Sequence, residues 1–219
     1  MKKYFDKVAV LGAGVMGAQI AALLANMHVP VILFELAADE KDKNALSKQA
    51  LKRLAKLKPA PFATNSVQYA IETANYDDDL AKLKDCDLII EAIAENMDWK
   101  KDLYDKINSF IKNDAILATN TSGLSINQLS EILPSDKREQ FIGIHFFNPP
   151  RYMHLVELIP CVTTKLEHIN SLEEFLVTSL GKGVVVAKDT PNFIANRIGV
   201  FNLLATIHHA EKLNIPFEV

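Results

Sequence analysis

One largely uncharged stretch near the N-terminus constrains the fold more than any other part of the chain. It reads KVAVLGAGVMGAQIAALLANMHVPVILFE, from residue 7 to residue 35. A short β-forming run precedes three glycines, Gly12, Gly14 and Gly17, which a helix-forming run and a second β-forming run follow. The second β-forming run ends at the acidic residue Glu35. This order of strand, glycine turn, helix, strand and acid predicts a βαβ unit that binds a dinucleotide.

The three glycines and the acid each have a physical role in such a unit. Gly12 allows the tight turn from strand to helix, Gly14 lets a pyrophosphate approach the main chain, and Gly17 lets the helix pack closely on its strand. The helix N-terminus offers free N–H groups and a partial positive charge to the phosphates. Glu35 can accept hydrogen bonds from both ribose hydroxyls and would repel a 2′-phosphate, so the sequence favours NAD over NADP.

Two other interpretations of this stretch have to be weighed. A glycine triplet alone occurs often by chance, but here it has its strand, helix and acid around it. The run from residue 8 to residue 34 contains no charged residue and is long enough to cross a bilayer. His28, Pro30 and the three glycines interrupt that run, and a buried parallel βαβ unit is also almost free of charge. We therefore favour the βαβ unit.

Composition narrows the classes of protein to which the chain can belong. Its 219 residues suffice for one large domain, or one domain and part of another, and 49% apolar with 23% charged residues is typical of globular proteins. A net charge of −3 argues against nucleic-acid binding. The two cysteines, Cys86 and Cys161, have no metal-ligand spacing, so no metal site is expected. With no targeting peptide visible, we expect a reduced, cytoplasmic setting.

The rest of the chain alternates between β-forming and helix-forming segments. This alternation predicts an α/β fold with a doubly wound, mainly parallel sheet. A charged helix is expected from residue 39 to residue 58, with Lys48, Lys52 and Lys56 on one face. That face is either a solvated helix surface or a patch for an anionic ligand tail. Glu91 stands at the end of a buried strand, on the side of the sheet where ligands bind.

Polar residues in two later apolar strands suggest catalytic chemistry. His145 lies within FIGIHFF and Glu157 within LVELI, and a turn joins the two strands. Such a turn could place the two side chains opposite each other, where the carboxylate would fix the histidine tautomer and stabilise the imidazolium. Ser122, at another strand end, could donate a hydrogen bond to a substrate oxygen. These residues alone indicate an NAD-dependent dehydrogenase acting on an alcohol.

Several motifs, in one order along the chain, resemble the L-3-hydroxyacyl-CoA dehydrogenase family. They are VAVLGAGVMGAQIA, EAIAEN, NTSGLSI, GIHFFNPP, LVELI and KDTPNFIANRIG. The resemblance covers essentially the whole chain and is strongest to the dehydrogenase part of large bacterial fatty-acid oxidation proteins. It implies a Rossmann-like sheet, NAD as cofactor, and oxidation of L-3-hydroxyacyl-CoA to 3-oxoacyl-CoA in β-oxidation.

The resemblance also implies roles for individual residues. His145 corresponds to the family's base, Glu157 to its orienting partner, Ser122 to the serine near the substrate hydroxyl and the nicotinamide, and Asn196 to the asparagine near the substrate carbonyl. Coenzyme A contacts are placed only on the basic helix, around Lys52 and Lys56. The residues implied to contact NAD are Gly12, Gly14, Val15, Met16, Gly17, Glu35, Glu95, Lys100 and Asn148.

The sequence departs from the family pattern at two of its motif positions. The family often has Asp where this chain has Glu35, which should still bind the ribose hydroxyls. It frequently has Gly where this chain has Asn192, a difference expected to affect the hinge before the last helix.

The resemblance implies a division of the chain and a larger setting. Residues 1–189 are expected to form the NAD-binding domain, and residues 190–219 the first helix of a truncated helical domain for substrate binding and dimerisation. We therefore expect the chain to be a fragment, linked to an enoyl-CoA hydratase region in a longer protein of a usually dimeric family. Two alternatives stay open: a dehydrogenase of another hydroxy acid, or an NAD-binding module without catalysis.

Overall fold

The chain folds around one large sheet. The structure, a computed structural model, describes residues 5–38 and 41–216. Within these ranges the strands are β1 (Val8–Leu11), β2 (Val31–Glu35), β3 (Ile71–Asn75), β4 (Leu88–Glu91), β5 (Ile116–Thr119), β6 (Phe141–Phe146), β7 (Leu155–Pro160) and β8 (Gly183–Val186). The α-helices are α1 (Val15–Asn26), α2 (Ala45–Leu54), α3 (Met97–Ile107), α4 (Ile126–Ile132), α5 (Leu166–Thr178) and α6 (Ala195–Lys212).

The strands form a single eight-stranded sheet in the order β3-β2-β1-β4-β5-β6-β7-β8. All neighbouring strands run parallel except β6 and β7, which form an antiparallel pair. The chain starts at β1 in the middle, winds outwards through β2 and β3, and then crosses back to β4. The predicted Rossmann-like, mainly parallel, doubly wound sheet is therefore confirmed, and the order reverses between β1 and β4.

Both faces of the sheet are covered by helices, which explains the apolar character of the strands. Every residue of β1, β4, β5 and β6 is buried. One apolar core lies under α1, α2 and α5, and the other lies under α3 and α4. Strands buried on both faces read as continuous apolar runs. The uncharged run of residues 8–34 is thus β1, α1 and β2, and no helix in the described part of the chain is long and apolar enough to span a membrane.

The turn between β1 and α1 depends on glycine at two positions. Gly12 has a φ of +100°, a conformation that a residue with a side chain rarely adopts. At Gly17, a Cβ atom would lie 1.9 Å from the carbonyl oxygen of Gly12. The packing role predicted for Gly17 is therefore confirmed, since only hydrogen at this position lets α1 approach the turn.

The charged helix differs from its predicted extent. It begins at Ala45 and ends at Leu54, whereas the sequence indicated residues 39–58. Asp39, the predicted start, lies outside the described residues. The Lys56 N–H bonds the Arg53 carbonyl in a turn, so Lys56 follows the helix and does not extend its basic face.

The last helix contributes no residue to either core. None of its residues is buried, and Ile198, Phe201 and Leu204 are 57%, 70% and 59% exposed. A soluble helix normally buries one apolar stripe. The segment from residue 190, which we predicted to begin a second domain, thus contains a helix with exposed apolar side chains. Residues 217–219 lie outside the described residues.

One carboxylate attaches the linker before α6 to the start of α4. Oδ2 of Asp189 accepts hydrogen bonds from the Ser125 hydroxyl at 2.7 Å and the Asn127 N–H at 2.9 Å, and Oδ1 accepts one from the Ile126 N–H at 3.0 Å. Burial raises the pKa of this carboxyl group, but the hydrogen bonds outweigh burial, and the pKa of Asp189 lies below its usual value. Asp189 therefore acts as a cap for α4 supplied from a distant segment.

Replacing Gly17 by Ala tests the close approach of α1 to its turn. The added carbon of Gly17→Ala would clash with the Gly12 carbonyl oxygen, which belongs to the main chain and cannot easily move aside. We therefore expect this substitution to lower the free energy of unfolding by about 3 kcal/mol. Gly199→Ala is the matched control, since its added carbon meets nothing within 4 Å. Urea unfolding followed by circular dichroism gives the comparison, and equal stability of the two variants would contradict the packing role of Gly17.

Replacing Asp189 by Asn should make the free energy of unfolding less dependent on pH in the acidic range. A carboxyl group whose pKa is lowered by folding contributes stability above its unfolded pKa of about 3.9, and this contribution is lost as pH falls through the lowered value. We therefore expect Asp189→Asn to be less stable than the unchanged protein at pH 7, with a difference that shrinks below pH 4. Urea unfolding at several pH values measures it, with Asp136→Asn as the control, because Asp136 is exposed and its substitution should leave stability at pH 7 unchanged.

Candidate active site

The candidate site lies along one edge of the sheet, where the parallel strands β1, β4, β5 and β6 all end. Ligands in open α/β sheets bind at this edge, in the crevice where the strand order reverses. Here the crevice opens between β1 and β4. The strand ends are held together by main-chain contacts, since the Ala92 N–H bonds the Leu11 carbonyl at 2.8 Å and the Asn120 N–H bonds the Glu91 carbonyl at 2.7 Å.

The N-terminus of α1 faces this crevice with its N–H groups available to an anion. Gly14 caps the helix without any side-chain hydrogen bond, and the first turn contains no acidic residue. A Cβ atom on Gly14 would meet nothing within 4 Å, so the main chain there borders open space. Val15 is 69% exposed, whereas Met16 packs against the core. This part of the predicted NAD loop therefore has the space and the donors that a pyrophosphate needs.

Glu35 stands at the end of β2, beside the glycine turn. Its Oε2 accepts a hydrogen bond from the Ala13 N–H at 2.7 Å, and its Oε1 accepts one from the Leu36 N–H at 2.9 Å. An ionised carboxylate has about four acceptor positions, so two are left for further donors. Such a group suits the two hydroxyls of an adenosine ribose and repels a phosphate on the same ribose.

A cleft of about 510 Å³ extends from the glycine turn to α3. One wall comes from the end of β2, and the other comes from the segment after β4 together with α3. The cleft is mainly apolar and of the size that small-molecule sites commonly have. Its lining includes Gly14, Glu35, Leu36, Tyr76, Ile93 and Trp99.

A buried ion pair supports the segment after β4. Glu91 and Lys100 are both fully buried, and the Lys100 ammonium group bonds the two Glu91 carboxylate oxygens at 2.6 and 2.7 Å. Hydroxyl groups of Tyr104, at 3.0 Å, and Thr119, at 2.7 Å, donate to the same carboxylate. The direct NAD contact implied for Lys100 has to be corrected, because Lys100 is completely buried and its ammonium group bonds the equally buried Glu91.

Glu95 bridges the segment after β4 to the loop after β5. Its Oε1 accepts hydrogen bonds from the Thr121 hydroxyl at 2.5 Å and from the Ser122 and Gly123 N–H groups, each at 2.9 Å. Ser122 itself is exposed at the edge of the sheet. The carboxylate therefore fixes the loop on which the predicted substrate contact, Ser122, is carried.

His145 and Glu157 face each other directly across the antiparallel strands β6 and β7. Nδ1 of His145 lies 2.8 Å from Oε2 of Glu157, and both side chains are almost completely buried. The side-by-side placement predicted from the sequence is confirmed. Because an ionised carboxylate only accepts hydrogen bonds, Nδ1 is the nitrogen that donates, and Nε2 is left as the acceptor.

The other oxygen of Glu157 binds the start of the last helix. Oε1 accepts hydrogen bonds from the N–H groups of Ile194 at 3.0 Å and Ala195 at 2.9 Å. Asn196, the predicted contact to the substrate carbonyl, is the next residue of α6 and is partly exposed. One carboxylate thus connects the candidate base to the helix that carries Asn196.

The joint before α6 has an uncommon backbone. Asn192 has a φ of +63° and Phe193 a φ of +48°. Asn enters this left-handed region more readily than most residues, which explains how Asn192 occupies a position where the family frequently has Gly. The buried ring of Phe193 lies 5.6 Å from the imidazole ring of His145, centroid to centroid, so the strained segment also packs on the candidate base.

Asn148 lies beside the N-terminal half of α1. Its Oδ1 accepts a hydrogen bond from Nε2 of Gln19 at 2.9 Å, and the same Gln19 group bonds the Val15 carbonyl at 3.0 Å. This places the turn after β6 next to the helix that begins at the glycine loop. The role in NAD binding that the resemblance implies for Asn148 stays a prediction.

Several residues of the site were missed from the sequence. Trp99 and Tyr76 line the cleft, Gln19 holds Asn148, and Asp189 holds the loop that follows Ser122. Tyr76 had a usable signal, since it directly follows β3 at the edge where ligands bind. The other three are positioned by tertiary contacts that no local pattern reveals.

A comparison with known protein families identifies the family to which the chain belongs. A family model described as "3-hydroxyacyl-CoA dehydrogenase, NAD binding domain" matches residues 7–190. The chain belongs to this family. The expected family and its cofactor, NAD, are thereby confirmed for the domain.

Individual 3-hydroxyacyl-CoA dehydrogenase relatives agree with the family match. "Probable 3-hydroxyacyl-CoA dehydrogenase" of Deinococcus radiodurans is 46% identical over 215 residues, which are 97% of this chain and 62% of that protein. "Fatty acid oxidation complex subunit alpha" of Psychrobacter cryohalolentis is 35% identical over 224 residues, which are 97% of this chain and 30% of that protein. The chain thus spans less than two thirds of the length of these curated relatives.

A solved structure of the family has the same fold. The (S)-3-hydroxybutyryl-CoA dehydrogenase PaaH1 from Ralstonia eutropha superposes with a TM-score of 0.71 and is 32% identical. The match covers 89% of this chain and 67% of that one.

Trp99 provides a direct measurement of nucleotide binding to the family's NAD cleft. It is the only tryptophan in the sequence, it lines the cleft, and it is 60% exposed. We expect its fluorescence to change in a saturable way on titration with NAD, and NADP to require at least tenfold higher concentrations because Glu35 repels the 2′-phosphate. Trp99→Phe should remove the signal while calorimetry still detects binding. Equal affinity for both nucleotides would contradict the role of Glu35.

Proposed function

We propose that this domain serves the oxidation of L-3-hydroxyacyl-CoA to 3-oxoacyl-CoA with NAD. The observation that supports the proposal is the buried pair of His145 and Glu157. This pair lies near the same edge of the sheet as the nucleotide cleft. A base beside a nicotinamide site is what oxidation of a secondary alcohol requires.

In this proposal His145 takes the proton of the substrate hydroxyl on Nε2. Glu157 holds the imidazole in the tautomer with hydrogen on Nδ1, and its negative charge stabilises the imidazolium that forms. The second oxygen of Glu157 is already satisfied by the first N–H groups of α6, so the carboxylate keeps its orientation throughout. When bound, NAD supplies the acceptor for the hydride that leaves the carbon bearing the substrate hydroxyl.

Ser122 and Asn196 are proposed to hold the substrate oxygens. Ser122 is exposed at the end of β5, on a loop that Glu95 fixes through main-chain hydrogen bonds. Asn196 is in the first turn of α6, directly after the two residues bound by Glu157. Each residue therefore projects from a segment tied to another part of the site, which favours a fixed substrate geometry.

The substrate class is supported by the relatives. PaaH1 is named for its action on 3-hydroxybutyryl-CoA, and the Deinococcus relative for 3-hydroxyacyl-CoA. For the coenzyme A part, Lys52 and Lys56 are exposed basic residues, although Lys56 follows α2 instead of lying on it. They are proposed as contacts to the anionic end of coenzyme A.

The larger setting implied by the family is also part of the proposal. Residues 1–189 form the NAD-binding part, and residues 190–219 begin a helical part that covers the exposed apolar side chains of α6 and builds a dimer. The length and name of the Psychrobacter relative favour a multifunctional protein, and the family resemblance adds an enoyl-CoA hydratase region. A cytoplasmic location is proposed, in keeping with the free thiols Cys86 and Cys161.

A second candidate function is NAD binding without turnover by the chain on its own. The exposed apolar surface of α6 favours it, since no described residue provides a wall for an acyl group there. Action on another hydroxy acid is the other alternative, and it differs in not needing a coenzyme A ester. Comparing NADH formation from 3-hydroxybutyryl-CoA, its long-chain homologue and free 3-hydroxybutyrate separates the three.

Substituting the catalytic pair tests the proposal. We expect His145→Gln to slow NADH formation from 3-hydroxybutyryl-CoA by at least about 100-fold, the usual effect of losing a general base. Glu157→Gln should slow it similarly, because the amide can donate to Nδ1 and so favours the tautomer whose Nε2 already carries hydrogen. Single-turnover absorbance at saturating NAD measures the rate, and calorimetry should give unchanged NAD affinity.

The control for both variants is His168→Gln, which lies on α5 and away from the pair. It should leave the rate unchanged. If His145→Gln were as active as this control, His145 would not be the base. If the unchanged chain bound NAD but formed NADH from none of the substrates, the second candidate function would replace the first.

A further inference from the structure

Tyr76 is a buried residue of the nucleotide cleft for which the mechanism gives no role. It directly follows β3, only 5% of its surface is exposed, and its ring stacks on Phe34 of β2 at 5.9 Å. Its hydroxyl oxygen is shielded from solvent and has no hydrogen-bond partner in the part of the chain that the structure describes. A buried hydroxyl without a partner carries a desolvation penalty, so a position that keeps one calls for an explanation.

The Tyr76 hydroxyl is a permanent hydrogen-bond donor. Burial raises its pKa well above the usual value and the nearby carboxylates of Glu35 and Glu91 raise it further, whereas the adjacent main-chain N–H of Gly12 lowers it by less. The phenol therefore stays protonated at any pH at which the protein works, and what it needs is an acceptor. Glu35 and Glu91 are the two candidates.

Only one of these carboxylates has room for another donor. Glu91 already accepts hydrogen bonds from the Lys100, Tyr104 and Thr119 side chains and from a main-chain N–H group. Within residues 5–38 and 41–216, Glu35 accepts from two N–H groups only, and its side chain borders the open cleft. A carboxylate has about four acceptor positions, so Glu35 is the group that can still take the phenol hydrogen.

We propose that Tyr76 is a positioning residue that donates a hydrogen bond to Glu35 when a nucleotide is bound. The inference rests on NAD occupying the cleft as described above. Ribose hydroxyls that bind Glu35 from the cleft draw its carboxylate away from the Ala13 N–H, and the phenol then holds it from the protein side. The hydroxyl acts through Glu35 and not on the nucleotide, because it has no accessible surface of its own.

Tyr76→Phe removes only the hydroxyl and is therefore the informative variant. Calorimetry with NAD should show about tenfold weaker binding, as expected for losing a hydrogen bond to a charged group. An NAD analogue with 2′,3′-dideoxyadenosine has no ribose hydroxyls for Glu35 to bind, and its affinity should change less than twofold. In a Glu35→Ala background, Tyr76→Phe should also change NAD affinity less than twofold, because coupled residues are not additive.

Thermal unfolding without nucleotide separates positioning from a structural role. Removing an unpaired buried hydroxyl should leave the midpoint unchanged or raise it, whereas NAD should raise the midpoint less in Tyr76→Phe than in the unchanged protein. The matched control is Tyr69→Phe, because Tyr69 is 83% exposed and should change neither measurement.

The inference would be overturned by a lower unfolding midpoint without nucleotide, by equal weakening of NAD and dideoxy-analogue binding, or by additive effects of the Tyr76 and Glu35 substitutions. Normal NAD binding by Tyr76→Phe would do the same and leave the nucleotide site intact. Absence of NAD binding by the unchanged protein would instead refute the nucleotide site, and the role of Tyr76 with it.

Discussion

The two oxygens of Glu157 connect the parts of the candidate active site. One bonds His145 on the neighbouring strand, and the other bonds the first N–H groups of α6. A buried carboxylate is stable only when such donors satisfy it, so neither partner can move away without a cost. The antiparallel pairing of β6 and β7 is what makes this possible, because it brings His145 and Glu157 directly opposite each other. The orientation of the base and the position of α6 therefore depend on one group.

Other carboxylates along this edge of the sheet also join segments by accepting hydrogen bonds. Glu91 supports the segment after β4, Glu95 fixes the loop after β5, and Asp189 joins the linker before α6 to the start of α4. Each carboxylate comes from one segment and accepts hydrogen bonds from main-chain N–H groups of another or of its own loop. Loops that carry function need such support, since they lack the regular hydrogen bonds of helices and strands. The parallel core supplies the edge, and these acids fix the loops on it.

The sequence predicted those features of the site that depend on residues close together in the chain, and it missed those that depend on tertiary contacts. The glycine turn and the opposition of His145 to Glu157 follow from spacing alone, because a βαβ unit and a hairpin are local structures. The burial of Lys100 could not be seen, since its partner Glu91 lies on another element and local pattern makes a lysine look exposed. The start of α2 and the role of Tyr76 were missed for the same reason, as tertiary contacts decide both.

The joint before α6 shows how backbone strain and the buried carboxylate act on one element. Asn192 and Phe193 both have positive φ, and for Phe193 this conformation carries a steric cost. The cost is tolerated because the Phe193 ring is buried against His145, and because Glu157 holds the N–H groups that immediately follow. Moving α6 would release the strain but would also remove two of the donors that satisfy Glu157 and expose one side of His145. The fold thus links the orientation of His145 to the position of α6, the helix that carries the proposed substrate contact Asn196. Substitutions at the joint should therefore change both the orientation of His145 and the position of α6.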